Sequence, residues 1–441
     1  MSAALGRSHD PSQTGAEPRA RAGAPARLLP DAVGQPTSLR EHEARYGQLP
    51  HFTSAKERAL LLDAIEASGL RGRGGAGFPT ATKLRAVARG VRPIVVANGT
   101  EGEPASAKDK ALMWANPHLV LDGALAAAEG VGAGEIILAV SNAQPRIHGR
   151  LGIALEERRQ AGTTQSVRLV AVPERFVAGE ESALVHFLNG GPPLPTLVPP
   201  RPFERGVRGA PTLVQNVETL ANIGLIARNG PEWFRRWGTP EEPGTVLVSV
   251  LGAVGRPGVL ELPLGLELSE LFRLAGGFSA APRAILVGGY FGTWIDAASL
   301  AGLTLSGGSL ASVGASLGAR SFAVLPEGLC GIEQSARVAR YLSDQSAGQC
   351  GPCLFGLRAL AAVLEAMTAG AADARAQRTR LPRLSAQIAR RGACAHPDGA
   401  LSFVESATRV FAAEIEDHLQ GRCNRSHGRA FLPTPGGAPT R

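Results

Sequence analysis

The 441-residue sequence predicts an α/β protein in three parts: a Rossmann-like domain of parallel strands, a small β-grasp module and a C-terminal four-helix bundle. Three observations predict this. Short, mostly continuous apolar runs alternate with helical stretches between residues 94 and 172, as in a sheet buried on both faces. A second group of strands around one helix begins at Gly244. After Gly328 the apolar spacing becomes helical to about Leu419.

In chain order, residues 1–48 are rich in Ala, Arg, Pro and Gly with little periodicity and are expected to form a disordered tail. A helix over Ala55 to Ser68 then stops at Gly69, a residue suited to a left-handed C-cap. A dense glycine loop follows, Gly69-Leu70-Arg71-Gly72-Arg73-Gly74-Gly75-Ala76-Gly77-Phe78-Pro79-Thr80. Strands are expected at Ile94 to Ala97, Glu135 to Val140 and Val167 to Val172, with a helix over Pro117 to Glu129, inside a first domain of residues 49–242. In such sheets cofactors sit beyond the carboxyl ends of the strands, where Asn98 to Pro104 falls. The second module, 243–328, holds strands Val246 to Val250 and Gly258 to Leu262, a helix Leu268 to Ala275 and a strand Ala284 to Val287. The bundle, 329–422, carries Cys350-x2-Cys353 in the turn before a helix Leu354 to Met367, and 423–441 is expected to be a flexible tail.

The length excludes a single core. No apolar run reaches the roughly 18 residues of a spanning helix, so no membrane segment is expected. The net charge of +8 comes from scattered arginines without a basic block interleaved with aromatics, which argues against nucleic acid as a partner. Five cysteines, an odd number without a secretory apolar segment, point to a reducing compartment and thus the cytoplasm.

Two motifs carry chemistry. The glycine loop can bring backbone N–H groups close to a phosphate, with Arg71, Arg73 and Lys83 to balance its charge. Cys350, Cys353 and Cys394, the last in Gly-Ala-Cys-Ala-His, are soft ligands at spacings that suit an iron–sulfur cluster or zinc. His396 offers a fourth ligand, with Asp344 and Ser346 as weaker oxygen donors. Cys423 is placed too far away, because a helical run from Phe403 to Leu419 spans about 25 Å. Cys330 reads as structural. A phosphate-bearing cofactor together with a metal centre suggests electron transfer.

These motifs together resemble the flavin-carrying, NADH-oxidising iron–sulfur subunit of respiratory complex I and its relatives in soluble hydrogenases and formate dehydrogenases, over about residues 50–420. The glycine loop with Lys83 is similar to the family's flavin and NADH loop. Asn98-Gly99-Thr100-Glu101-Gly102-Glu103-Pro104 resembles the segment beside the isoalloxazine ring, Gly179-Glu180-Glu181-Ser182-Ala183-Leu184 the segment near the nicotinamide, and Asn216-Val217-Glu218-Thr219 a further flavin contact. The resemblance implies a Rossmann-like flavin-binding domain, a soluble-ligand-binding β-grasp domain and an iron–sulfur bundle. It implies FMN held by Gly72, Arg73, Gly74, Gly75, Gly77, Phe78, Lys83, Asn98, Glu101, Glu103, Gly179, Glu180, Glu181 and Asn216. The carboxylates are expected to position rings rather than act as acids or bases, since the flavin itself accepts the hydride.

Several positions depart from the family. Its cluster motif is C-x2-C-x2-C plus one downstream cysteine, and the first of these is Ala347 here. A lysine, an aromatic and an aspartate of the family are Val198, Arg201 and Thr100; a tyrosine is Phe176 and a tryptophan is Leu84. Loss of the stacking aromatic weakens dinucleotide binding by about 1 to 2 kcal/mol. The expected function is oxidation of NADH through FMN, with single electrons passed to a 4Fe-4S or 3Fe-4S cluster and on to a ferredoxin or a thioredoxin-like two-iron subunit. The alternatives are an NADH-inert, ferredoxin-linked protein and a non-enzymatic scaffold held by zinc.

Overall fold

The computed structural model describes residues 26–30, 36–370, 374–425 and 430–435. Three helices, α1 (Leu39–Tyr46), α2 (Ala55–Ser68) and α3 (Thr80–Ala88), precede strand β1 (Ile94–Gly99). Helices α4 (Lys108–Ala115) and α5 (Pro117–Val131) lead to β2 (Glu135–Ser141), and α6 (Pro145–Gln160) leads to β3 (Val167–Val172). A 3-10 turn, Phe176–Gly179, and α7 (Glu181–Leu188) lead to β4 (Thr212–Asn216), followed by α8 (Val217–Arg235). The strands form a wholly parallel sheet in the order β3-β2-β1-β4. Val95, Val96 and Ala97 are fully buried, which is why β1 reads as a continuous apolar run rather than an alternating one.

The topology decides where a ligand can sit. The chain leaves β1 toward β2 on one side and returns to β4 on the other, so the strand order reverses between β1 and β4. A crevice opens beyond the carboxyl ends at such a point. Those ends are in register, Asn98 opposite Asn216. Helix α2 delivers the glycine loop there. It starts with a Ser54–Glu57 capping box and ends at Gly69 with φ 70°, as the sequence predicts.

Helices α5 and α8 cross so closely that a Cβ on Gly123 would lie 1.7 Å from the Leu220 carbonyl oxygen. Gly123→Ala is therefore expected to cost about 3 kcal/mol through forced separation of the helices. A denaturation midpoint equal to that of the wild type would contradict this.

The second module comprises β5 (Thr245–Gly252), β6 (Gly258–Pro263), α9 (Leu268–Leu274), β7 (Pro282–Val287), β8 (Thr293–Asp296), α10 (Gly307–Ala311) and β9 (Ser321–Pro326). Its sheet has the order β6-β5-β9-β7-β8, with β5 and β9 parallel and the other pairs antiparallel. Alternation splits its side chains between two cores. Ile285, Val287, Phe322 and Val324 pack with Leu271 and Phe272 of α9, whereas Ala284, Leu286, Ala323 and Leu325 join the C-terminal helices.

Those helices are α11 (Gly331–Asp344), α12 (Leu357–Thr368), α13 (Ala374–Ile388), α14 (His396–Val410) and α15 (Ala412–Leu419). The expected fourth helix is split in two, because Phe411 leaves helical geometry (φ −102°, ψ 25°) and turns the chain. Helix α12 starts at Leu357 rather than Leu354, since Pro352–Gly356 forms a π-helical turn.

The two expected tails need correction where they are described; residues 1–25, 31–35, 426–429 and 436–441 lie outside the described residues. The N–H groups of Arg27, Leu28 and Leu29 all donate to Glu261 Oε2, at 3.0, 2.8 and 3.2 Å, and both leucines are fully buried. The Arg27 guanidinium stacks 3.6 Å from the Trp233 ring. At the other end Leu432 is buried and Tyr290 donates its hydroxyl to the Pro433 carbonyl. Low-complexity composition hides these short anchors, whose partners lie far away in the sequence.

Candidate functional site

The glycine loop is a closed hairpin. Gly72 N–H donates to the Phe78 carbonyl at 2.8 Å, Thr80 N–H to Leu70 at 3.0 Å, and Arg71 Nε to Gly77 at 2.8 Å. Gly75 (φ 125°) and Gly77 (φ 62°) take conformations that L side chains rarely adopt. Gly74 approaches β4 so nearly that a Cβ would lie 3.2 Å from Asn216 Cβ. Phe78, at the closing end of the hairpin, is left more than half exposed.

Around this loop the structure brings together most of the predicted residues. Lys83, in the first turn of α3, donates to Glu181 Oε2 and to the Val214 carbonyl, each at 2.8 Å. Asn98, near the end of β1, donates to the Gly179 carbonyl at 2.8 Å and accepts from Thr100 Oγ1 at 2.7 Å. Glu180 caps α7, its carboxylate accepting from Ser182 and Ala183 N–H at 3.0 Å. Asn216 caps α8 and donates to Asp109 Oδ2 at 2.7 Å. Glu181 Oε1 is buried and accepts no hydrogen bond. A buried acceptor left without a donor fits a site completed by a ligand N–H or hydroxyl.

Three candidates face elsewhere. The Arg73 guanidinium turns away from the loop's open face and donates to the Pro243 carbonyl at 3.2 Å; burial pushes its pKa down to about 9. Glu101 accepts from Ser106 Oγ and the N–H groups of Asp109 and Lys110, so it caps α4 from within. Its burial opposes ionisation, but Lys110 and Lys108 outweigh that and hold its pKa below the ordinary value. Glu103 accepts from Ala105 and Tyr290 N–H at 3.0 and 2.8 Å, stitching the first domain to the second, and burial pushes its carboxyl up to about 7. In the sequence these groups read as ligand-facing, because the backbone N–H groups and carbonyls they meet leave no local trace.

Other residues of the site escape a reading of the sequence. Lys108 bridges Asp109 at 2.6 Å and Glu218 at 2.8 Å, all nearly fully buried, and Glu218 Oε1 accepts from Leu247 N–H at 2.9 Å. Arg320, from the second module, donates to the Gly72 carbonyl at 3.1 Å and also to that of Arg73. No local signal marks Arg320, since its partners are 247 and 248 residues away. Behind the loop, Arg71, Arg73, Glu242, Gly318 and Arg320 line a cavity of about 170 Å³. That is well below the roughly 300 Å³ of the smallest ligand pockets. Val198 is partly exposed and Arg201 exposed, on the loop before β4; Leu84 is fully buried.

Cys350, Cys353 and Cys394 lie near one another, with Glu180 close to Cys394. Cys353 is buried in the π-helical turn next to Cys350, and burial, then Cys350, pushes its thiol up to about 12. The N–H of Gly348 points at the Cys353 sulfur and that of His396 at the Cys394 sulfur. Burial pushes the Cys394 thiol up, opposed by the His396 N–H, and the charge of Glu180 adds to the rise. Three thiols, two of them with an N–H group aimed at sulfur, fit a cluster. Among the described residues, no three of Cys350, Cys353, Cys394 and His396 have ligand atoms mutually within 4.8 Å. Tetrahedral zinc brings its sulfurs to about 3.8 Å, whereas a cluster spreads its ligands over separate irons.

His396 faces the core. Its Nε2 lies 2.8 Å from the Leu342 carbonyl, its ring packs edge-on against Phe176 and Phe291 at 5.5 and 5.2 Å, and burial pushes its pKa down to about 4. Nδ1 has no hydrogen bond. Ala347 sits on the loop that leads into Cys350. Ala347→Cys is expected to lengthen the life of the cluster in air several-fold and to remove any three-iron signal from the oxidised spectrum. An unchanged lifetime and spectrum would show that position 347 does not face the cluster.

Known proteins match this chain in all three of its parts. Residues 65–225 match the Nuo51 FMN-binding domain, 247–289 the SLBB domain, and 333–418 the NADH-ubiquinone oxidoreductase-F iron–sulfur binding region. An NADH-quinone oxidoreductase F subunit of Rhizobium meliloti is 32% identical over 380 residues, 82% of this chain and 89% of the relative. The NADH-quinone oxidoreductase F subunit of Streptomyces coelicolor is 30% identical over 396 residues, 87% of this chain and 88% of the relative. A chain of an NAD+-reducing [NiFe]-hydrogenase in the air-oxidised state superposes with a TM-score of 0.78 at 31% identity, over 87% of this chain and 66% of that longer one. With an FMN-binding domain, an SLBB domain and a 4Fe-4S region in this order, the chain belongs to the family of NADH-quinone oxidoreductase F subunits, whose members are components of NADH dehydrogenase-type oxidoreductases.

Proposed function

We propose that the chain oxidises NADH at the β1/β4 crevice and passes electrons through the Cys350, Cys353 and Cys394 cluster to a partner redox protein. One observation carries this reading: a single segment, Phe176–Glu181, belongs to both sites. Its Glu181 is paired with Lys83 beside the glycine loop, its Glu180 lies near enough to Cys394 to raise that thiol, and its Phe176 packs on His396. Bound FMN supplies the exchange between two-electron and one-electron chemistry.

The chain's own residues then have distinct tasks. N–H groups of the glycine loop bind phosphate, and Lys83 holds Glu181 so that Oε1 meets the carboxamide or ribose of the dinucleotide. Asn98 and Thr100 fix the Gly179 backbone, where a Cβ would meet Thr100 Oγ1 at 2.5 Å, and so keep the ring pocket open. Rapid mixing with NADH tests the order: the flavin band should bleach before the reduced cluster becomes visible by EPR. Cluster reduction preceding flavin bleaching would overturn it. The second reading, entry of electrons from ferredoxin, is favoured by Val198 and Arg201, where nothing aromatic is offered for an adenine ring to stack on.

We assign the electron exit to the π-helical turn. Phe355 is 75% exposed and Leu354 38%, immediately after Cys353. An aromatic anchor beside a redox centre suits docking of a ferredoxin or a thioredoxin-like two-iron subunit. Phe355→Glu should slow ferredoxin reduction about tenfold and leave reduction of a small artificial acceptor unchanged. Equal slowing with both acceptors would place the exit elsewhere. No helix among the described residues is long and apolar enough to cross a membrane. The cytoplasm is the compartment we favour, since none of the five cysteines is paired in a disulfide.

A further inference from the structure

Cys330, His418 and Cys423 lie away from the cluster cysteines, and their ligand atoms are all within 4.8 Å of one another. Cys330 is fully buried at the N-cap of α11, His418 is buried near the end of α15, and Cys423 is partly buried four residues beyond that helix. The Cys330 sulfur and His418 Nε2 are 3.1 Å apart. Tetrahedral zinc with bonds of about 2.3 Å to sulfur and 2.05 Å to nitrogen separates such a pair by about 3.6 Å, and two sulfurs by about 3.8 Å. A shift of about half an ångström would admit the ion. Two thiolates and an imidazole are the donors zinc prefers.

The surroundings match a metal site rather than three inert groups. The Glu333 N–H points at the Cys330 sulfur, which sits at the N-cap of α11, so backbone dipoles already face this atom. Glu414 lies one turn before His418 on α15. It accepts from Gly331 N–H at 2.7 Å, and its other oxygen has Arg283 Nε at 3.3 Å and Arg425 Nε at 3.4 Å. Glu414 together with Asp296, which pairs with Arg283 at 2.9 Å, balances the two arginines. A divalent ion with two thiolates is then neutral overall, a condition for burying it.

We propose that Cys330, His418 and Cys423 bind a structural zinc ion, distinct from the redox cluster, that ties the start of the helical region to its end. Water completes the fourth position on the side of the partly exposed Cys423. Binding closes a chain loop between residues 330 and 423 and holds α15 and the segment beyond it in place.

Elemental analysis of the anaerobically purified full chain tests this. About one zinc per chain is expected, and Cys423→Ser should weaken zinc binding by about 100-fold or more without lowering iron or flavin content. Cys353→Ser should do the reverse, losing iron and keeping zinc. Zinc-edge X-ray absorption on the wild-type holoprotein needs no variant and should show two sulfurs and one imidazole nitrogen. A chain that takes up no added Zn2+, a zinc shell of sulfurs alone, or a Cys330–Cys423 disulfide in the anaerobic protein would overturn the proposal. Because iron and flavin are quantified in the same sample, such a failure leaves the electron-transfer reading standing.

Discussion

Cys353→Ser is expected to cut iron and sulfide content at least about tenfold while flavin occupancy stays near that of the wild type. Cys353 is 2% exposed, so its thiol has no role in water and ionises only when a metal takes the proton's place. Serine fills nearly the same space but offers iron a much poorer ligand. With Ala347 already in place of one thiol, the loss leaves two, Cys350 and Cys394. Flavin should be spared because the glycine loop and the π-helical turn belong to different domains. Unchanged iron would remove Cys353 from the ligand set, and loss of flavin together with iron would show that the two sites fold as one.

The second large effect belongs to Glu181. Its Oε1 is buried without a hydrogen bond and its Oε2 is held by Lys83. Glu181→Ala removes both the acceptor offered to the dinucleotide and the charge that balances Lys83 in a partly buried setting. NADH-driven flavin reduction should slow about 100-fold, equivalent to about 2.7 kcal/mol, with flavin occupancy within about twofold of the wild type. Glu181→Gln, which keeps an acceptor at Oε1, should recover part of the rate. Equal losses of rate and flavin in the alanine variant would place Glu181 on the flavin rather than on its donor.

The legible parts of this protein are those whose signals are local. Helix α2 can be read to the residue because Ser54, Glu57 and Gly69 cap it, and β1 and β2 because buried parallel strands are mostly unbroken apolar runs; β3 is a similar run at the sheet edge, where only Val172 is buried. Strand β4 escapes such a reading: Thr212-Leu213-Val214-Gln215-Asn216 is short and half polar, and only its pairing with β1 makes it a strand. The motifs lead to the right neighbourhood but not to each side chain's task. Arg73, Glu101 and Glu103 look like ligand-facing charges in the sequence, yet they meet Pro243, the α4 N-terminus and Tyr290. Arg320 and the grouping of Cys330 with Cys423 arise from contacts between residues far apart in the chain. Distance along the helical run separates Cys423 from the cluster cysteines, and its sulfur lies beside Cys330 and His418 instead.

The central claim, that one chain joins a two-electron donor to a one-electron centre through the Phe176–Glu181 segment, is tested most directly by an anaerobic titration. The purified chain, with flavin, iron and sulfide quantified, is brought to one equivalent of NADH per flavin while its visible spectrum and EPR are recorded. The account predicts a flavin band over a broad iron–sulfur absorption, with both bleaching and a reduced-cluster EPR signal appearing as NADH is consumed. A chain that contains flavin and cluster but is not reduced by NADH, although it is reduced by dithionite, would contradict it.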